Sequence, residues 1–290
     1  MAVPNPILSA VICEPEGFID TDKEFIMELG LEGKVAIVTG GSKGIGRATA
    51  LCLAQEGANV VICARGVEDL EEAASAISEI SGRPVLSVRA DMTVLEDIQN
   101  LVATTVSELG GVDILVNNAV NSVAAPFLEL SDEDWLNHIN VKVMGYVRCS
   151  REVVPHMERR GGGRIINIGG MAARNAGNLT NSNGVTNSAV SNIAKNLGDQ
   201  VAHLGILVNC IHPGTTRTPR QVELLERRAR DANITVEEAE RRTVSEIPIG
   251  RMVEPEEIAS LVLFLVSEKA SAITGQTIAV EGGAGRGVNY

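Results

Sequence analysis

The run Thr39-Gly40-Gly41-Ser42-Lys43-Gly44-Ile45-Gly46 is the strongest chemical signal in the chain. It follows a β-branched stretch, Val35 to Thr39, and opens a segment of helical period, so the turn lies between a strand and a helix. Glycines there let the backbone bend tightly and approach a pyrophosphate, whose charge meets the N–H groups of the helix N-terminus. A glycine-rich turn can also be no more than a tight connection; its place between strand and helix favours the phosphate reading. The end of the second candidate strand bears on the choice of dinucleotide. A carboxylate there would accept from the adenosine ribose of NAD, but the chain reads Cys63-Ala64-Arg65. Arg65 suits a charge-assisted fork on a 2′-phosphate and Lys43 adds a second cation, which favours NADP (NADPH) over NAD. The alternative is that both are solvated surface cations. Asp91, just after the third candidate strand, is placed either to accept from the adenine amino group or to cap the next helix.

Positioning these residues requires alternating strands and helices. Short β-branched runs occur at Val35 to Thr39, Val60 to Cys63, Val85 to Val88, Ile114 to Val116, Arg164 to Ile168, Leu207 to Ile211 and Thr277 to Val280. The stretches between them have helical period, the pattern of parallel strands joined by crossover helices. Ser131 with Asp134 marks one helix start and Pro255 another. Residues 1–30 show no clear periodicity and read as an N-terminal extension, wrapped on the surface or mobile.

Composition bounds the partners. With 290 residues and 44% apolar content, residues 31–290 can form one large α/β domain. A net charge of -12 opposes nucleic acid and anionic lipid and leaves a small-molecule substrate. Cys13, Cys52, Cys63, Cys149 and Cys210 are odd in number and set mostly in apolar runs, which points to reduced core residues, no metal and a cytoplasmic location. No run is long enough to span a bilayer.

Taken in order, the motifs resemble the short-chain dehydrogenase/reductase family over essentially residues 31–283. The resemblance rests on Thr39-Gly-x-x-x-Gly-Ile-Gly46, Asn117-Asn118-Ala119, Asn140, Gly163-Arg-Ile-Ile-Asn-Ile168 and Pro213-Gly214. It implies a doubly wound, Rossmann-type α/β fold with a seven-stranded parallel sheet in the order 3-2-1-4-5-6-7 and helices on both faces. It also implies a homodimer or homotetramer packed through helices near 131–159 and 183–204, and a helical substrate lid near 215–251. Cofactor contacts implied beyond the glycine loop, Arg65 and Asp91 come from Met92, Asn117, Ala119, Pro213 and Gly214. Thr216 and Thr218, with Thr215, are implied to meet the carboxamide and diphosphate.

The resemblance breaks at the proton-moving groups. In this family a tyrosine hydroxyl moves the proton that accompanies hydride transfer, and a lysine four residues later lowers its pKa and grips the ribose. A serine polarises the substrate oxygen and an asparagine holds a water. Only the asparagine is found, as Asn140; the family spacing puts Gly170, Asn183 and Asn187 at the serine, tyrosine and lysine positions. Tyr146 and Tyr290 are the only tyrosines and are remote from this segment. Asn175, Asn178, Asn181, Asn183, Asn187, Asn192 and Asn196 form either a polar pocket wall or a solvated loop and helix start. His138, His156, His203 and His212 are candidate substitute acids, with packed or surface roles as the alternative. In the lid, Glu223–Arg227, Glu226–Arg230, Glu237–Arg241 and Glu238–Arg242 have i,i+4 spacing, which leaves Arg217 and Arg220 unpaired. The pattern is that of an NADP-dependent oxidoreductase with an atypical active site, acting on an activated group such as an imine or enone. A non-redox enzyme on the same scaffold, such as a cyclase, lyase or hydrolase, and a catalytically inactive subunit are the alternatives.

Overall fold

β1 (Val35–Thr39) is buried along its whole length, as a central strand covered on both faces must be. In the computed structural model, which describes residues 28–177 and 180–287, β1 is joined by β2 (Asn59–Ala64), β3 (Val85–Arg89), β4 (Ile114–Asn117), β5 (Gly163–Ile168), β6 (Ile206–Pro213) and β7 (Thr277–Val280). The seven strands form one sheet in the order β3-β2-β1-β4-β5-β6-β7, and every pairing is parallel. Strand positions agree with the β-branched runs to within about two residues at each end. Most of the expected N-terminal extension, residues 1–27, lies outside the described residues, as do Cys13, Asn178 and Tyr290.

The helices are α1 (Gly44–Gln55), α2 (Val67–Ser81), α3 (Leu95–Leu109), α4 (Asp132–His138), α5 (Gly145–Arg159), α6 (Asn181–Val201), α7 (Pro219–Ala232), α8 (Val236–Val244) and α9 (Pro255–Val266). Alternation along the strands divides the core in two. Ala36, Val38, Val60 and Ile62 pack with α1, α2 and α9, while Ile37, Val61 and Leu115 pack with α3, α5 and α6 on the opposite face. A separate small cluster, Leu225, Ala229, Ala239, Ile247 and Met252, holds α7 and α8 together beyond the sheet.

Two helix starts follow the sequence signals. The Asp134 N–H donates to Ser131 Oγ at 3.1 Å and the Ser131 N–H donates to Asp134 Oδ2 at 3.0 Å, closing a capping box on α4. Pro255 opens α9. α4 then runs into α5 through a π-helical turn, Ile139–Met144. Such a turn inserts extra backbone into the helix and re-aims the side chains it carries, often at functional sites; this one carries Asn140 and Lys142. Among the described residues no helix is long and apolar enough to cross a membrane, and no group of three or more His, Cys, Asp or Glu could hold a metal ion.

Candidate active site

A cleft of about 1840 Å³ opens where the strands end, bounded by the glycine loop, the β4 and β5 ends, the start of α6 and helices α7 and α8. Parallel α/β sheets bind ligands at this carboxyl edge.

The glycine loop forms one wall. Gly40 and Gly44 have φ of +64° and +55°, backbone that favours glycine. A Cβ on Gly46 would lie 2.2 Å from the Gly40 carbonyl oxygen and 2.5 Å from Asn118 Nδ2, so the loop closes only with glycine there. Asn118 locks it: its Nδ2 donates to the Thr39 and Gly40 carbonyls, both at 3.0 Å. The Asn118 and Ala119 N–H groups donate to Thr39 Oγ1 at 2.9 and 3.1 Å. Gly40, Ser42, Lys43, Gly44, Ile45 and Ala119 face the cleft, with Gly46 packed behind them. Asn117 does not reach the cleft. It is fully buried, and its Nδ2 donates to Asn167 Oδ1 at 3.0 Å and Ser150 Oγ at 3.3 Å, joining β4 to β5 and α5. Its neighbour Asn118 is the residue at the site.

Arg65, Asp91 and Met92 line the far end of the cleft with Lys43. Lys43 Nζ lies 2.7 Å from Asp69 Oδ2 at the start of α2, so its charge is shared with an acid. Asp91 Oδ1 accepts from the Thr93 N–H and Oγ1, both at 2.8 Å, so one oxygen braces its own turn. Burial raises the Asp91 pKa, but the Thr93 hydrogen bonds and the charges of Arg65 and Arg89 outweigh it and hold the carboxyl below its ordinary value.

Beyond β6, Pro213, Gly214, Thr215, Thr216 and Thr218 face the cleft. Thr216 Oγ1 donates to the Gly214 carbonyl at 3.0 Å, and Thr218 Oγ1 caps α7 by accepting from the Gln221 N–H at 3.3 Å. Arg217, which sequence spacing leaves unpaired, is paired after all: it reaches Glu240 at 2.6 Å and Glu254 at 3.3 Å. These acids come from α8 and the start of α9, tertiary partners that no i,i+4 count includes. Glu226–Arg230 at 4.0 Å and Glu238–Arg242 at 2.9 Å form as spaced. Arg227 instead donates to the Ala124 carbonyl, and Arg241 takes Glu238 at i,i+3.

The structure brings Gly170, Asn183 and Asn187 together at the inner end of the cleft. A Cβ on Gly170 would lie 2.7 Å from Asn187 Nδ2. Asn187 is 4% exposed and its Oδ1, though buried, has no hydrogen-bond partner. Asn175 and Thr180 also line the cleft. Asn192 and Asn196 bond each other along α6, away from it, so the asparagine-rich stretch is part pocket wall and part helix surface. Asn140 points away: its Oδ1 accepts from Arg148 Nη1 at 2.8 Å, and Arg148 also holds the Met92 and Thr93 carbonyls.

Among the described residues lining the cleft there is no tyrosine and no histidine. Tyr146 is buried in α5 and donates to the Ile168 carbonyl at 3.1 Å, and burial pushes its pKa well up. His138 is fully buried between Ser182 Oγ at 2.9 Å and Thr186 Oγ1 at 3.3 Å. His212 is 2.7 Å from Ser191 Oγ, with its Nδ1 buried and unpartnered. Burial lowers both imidazoles to about 4, so they are neutral at physiological pH. His156 lies 2.8 Å from Arg159 Nη2 on α5, outside the cleft.

Lys142 is the residue that sequence reasoning missed. It lies two positions after Asn140 in the π-helical turn, lines the cleft, is 4% exposed, and donates from Nζ to the Gly169 carbonyl at 3.2 Å. The one available signal was a lysine inside the apolar run Val141-Lys142-Val143-Met144, where a solvated cation is out of place. Arg220 also faces the cleft, donating to the Ser122 carbonyl at 3.0 Å and to Ser122 Oγ.

Comparison with known proteins places this geometry. The family model described as enoyl-(acyl carrier protein) reductase matches residues 40–285. Dehydrogenase/reductase SDR family member 4 of Oryctolagus cuniculus is 37% identical over 255 residues, covering 88% of this chain and 94% of that protein. The 3-oxoacyl-(acyl-carrier-protein) reductase FabG of Vibrio harveyi is 35% identical over 257 residues, covering 88% and 98%. Among solved structures, L-sorbose reductase of Gluconobacter frateurii, complexed with NADPH and L-sorbose, has a TM-score of 0.87 and 36% identity and covers 90% of this chain and 100% of that one.

Proposed function

Because the chain belongs to the short-chain dehydrogenase/reductase family, we propose that it is an NADP-dependent oxidoreductase with an atypical active site, directing hydride to an activated group such as an enone or imine. Gly170, Asn183 and Asn187 stand, in this reading, where the family's serine, tyrosine and lysine act. The observation that carries it is the inner end of the cleft, where these three residues meet and no tyrosine or histidine is present among the described lining residues. A carboxamide moves no proton near neutral pH, and losing a positioned acid costs about 10²- to 10⁴-fold in rate. Acceptors already activated toward hydride suffer least from that loss.

The residues present fit a dinucleotide. The loop at Gly40 and Gly46 is a cradle that a Cβ would fill, and it opens onto the N-terminus of α1 beside the threonines after Pro213. Arg65 and Lys43 suit a 2′-phosphate, with Arg65 the stronger contributor because Lys43 is shared with Asp69. That a similar reductase was solved with NADPH supports the same preference here. When bound, the nicotinamide supplies a hydride; the chain's part is to orient it against the wall formed by Gly170, Asn183 and Asn187.

The test follows NADPH consumption with a simple ketone, an enone and a cyclic imine, in the wild type and in Gly170→Ser/Asn183→Tyr/Asn187→Lys. The wild type is expected to act on the activated acceptors and not the ketone, and the triple variant to gain ketone reduction. All three changes are made together because the tyrosine would move the proton only with the lysine that lowers its pKa and the serine that polarises the substrate oxygen. Ketone reduction by the wild type at a rate no lower than the triple variant would overturn the reading.

A further inference from the structure

The inner cleft holds two cations, and among the described residues no acid lies beside Lys142. Facing Lys142 are the Cys210 thiol on β6, which burial keeps protonated and uncharged, and the Arg220 guanidinium on α7. His138 on α4 and His212 on β6 feel its charge but are themselves neutral near pH 7. From the turn after β5 the Gly169 carbonyl accepts from Lys142, and on α6 Asn187, which lines the same cleft, is an uncharged amide whose oxygen lacks a partner among the described residues. Among the described residues Arg220 is likewise bonded to Ser122 and not to a carboxylate; burial lowers its pKa and the charge of Glu223 opposes that shift. A buried ammonium held by one neutral carbonyl is costly to keep, and it sits beside the residues at which the usual proton-moving groups are missing.

These charges discriminate between the two activated acceptors. An iminium is a cation and would be repelled by Lys142 and Arg220. Addition of hydride to a conjugated carbonyl instead develops negative charge on oxygen, which a fixed cation in a closed cleft stabilises.

We propose that Lys142 is a catalytic residue that receives the oxygen of a conjugated carbonyl substrate, stabilising and then protonating the enolate formed when hydride is added at the β-carbon. The proposal rests on the reductase reading above and narrows its acceptor to the enone class. In the step, a C–H bond forms at the β-carbon, the C=C π pair moves toward the carbonyl, and the C=O π pair becomes the enolate lone pair. The reduced nicotinamide is oxidised by two electrons as the substrate is reduced by two. A proton leaves Nζ for the oxygen, the enol tautomerises in water, and Lys142 recovers its proton from solvent. Burial lowers the ammonium pKa to about 8, and the Arg220 charge adds to the shift. Near neutral pH the group is therefore charged yet able to release a proton, and turnover should fall as pH rises through about 8.

A readout independent of turnover uses the full chain with NADP⁺ and para-nitrophenol, whose phenolate mimics the enolate oxygen and whose colour reports its ionisation. The wild type is expected to bind the phenolate at least about tenfold more tightly than Lys142→Met. Lys142→Arg should restore phenolate binding, because the charge returns, but not the reduction of cyclohexenone, because guanidinium does not release a proton. Phenolate binding equal to wild type in a folded Lys142→Met overturns the proposal. Should that variant not fold, loss of phenolate binding in folded Lys142→Arg does so. Lys142-dependent phenolate binding without any hydride transfer to cyclohexenone supports the oxyanion role and removes the reductase reading alone.

Discussion

Gly46 and Arg65 carry the cofactor reading at the scale of single residues. Gly46→Ala forces a Cβ to within 2.2 Å of the Gly40 carbonyl, so the loop must move. The expected cost is about 1–3 kcal/mol in stability, with weaker NADPH binding, both readable by thermal melting and nucleotide titration. Arg65→Ala should weaken NADPH by about 10- to 100-fold while leaving NADH nearly unchanged, as expected for a charged hydrogen bond to a 2′-phosphate. Lys43→Ala should do less, because Lys43 is already engaged by Asp69. Equal losses for the two nucleotides would contradict the phosphate assignment. What the sequence reveals at this scale is the backbone chemistry: glycine needs at a strand-to-helix turn are local and legible. Which of two adjacent asparagines faces the cleft is not, because side-chain direction at a strand end depends on neighbours distant in sequence, here Thr39 and Gly40 for Asn118 and Asn167 for Asn117.

The π-helical turn Ile139–Met144 decides the site at the scale of elements. Helical period and the Ser131 cap predict the helix but not the extra backbone within it, which packs against α6. With it go the outward turn of Asn140 toward Arg148 and the inward turn of Lys142. α4 and α6 are joined by His138, which bonds Ser182 and Thr186. Its imidazole titrates at about 4 when folded against an ordinary value of 6.5, and His212 behaves alike. Below about pH 6.5 the unfolded chain takes up protons at these rings while the folded chain does not until about 4. The stability they contribute is therefore present above 6.5 and lost as pH falls toward 4. Melting temperature should drop across that window in the wild type. The drop should be shallower in His138→Gln, whose overall stability should be lower by roughly 1–3 kcal/mol from the weakened pairing of the buried Ser182 hydroxyl, Thr186 keeping its bond to the Ser182 carbonyl. An unchanged slope would place the acid sensitivity elsewhere.

Across the whole molecule the alternation of strands and helices was legible in the β-branched runs and the helical period between them, while the order of the strands, as observed, came only with the family resemblance. The packing of α7 and α8 on Leu225, Ala229 and Ala239 was not legible, and with it went the pairing of Arg217 to acids outside its own helix. The outcome is an acidic chain of net charge -12 whose inner cleft is locally cationic, an arrangement that suits a substrate gaining negative charge during reaction. The most direct test is to supply NADPH deuterated at C4 with cyclohexenone and locate the label in the product. Deuterium at the β-carbon of cyclohexanone is the predicted result. NADPH bound by the folded protein, with no deuterium delivered to this or any other conjugated carbonyl, would contradict it.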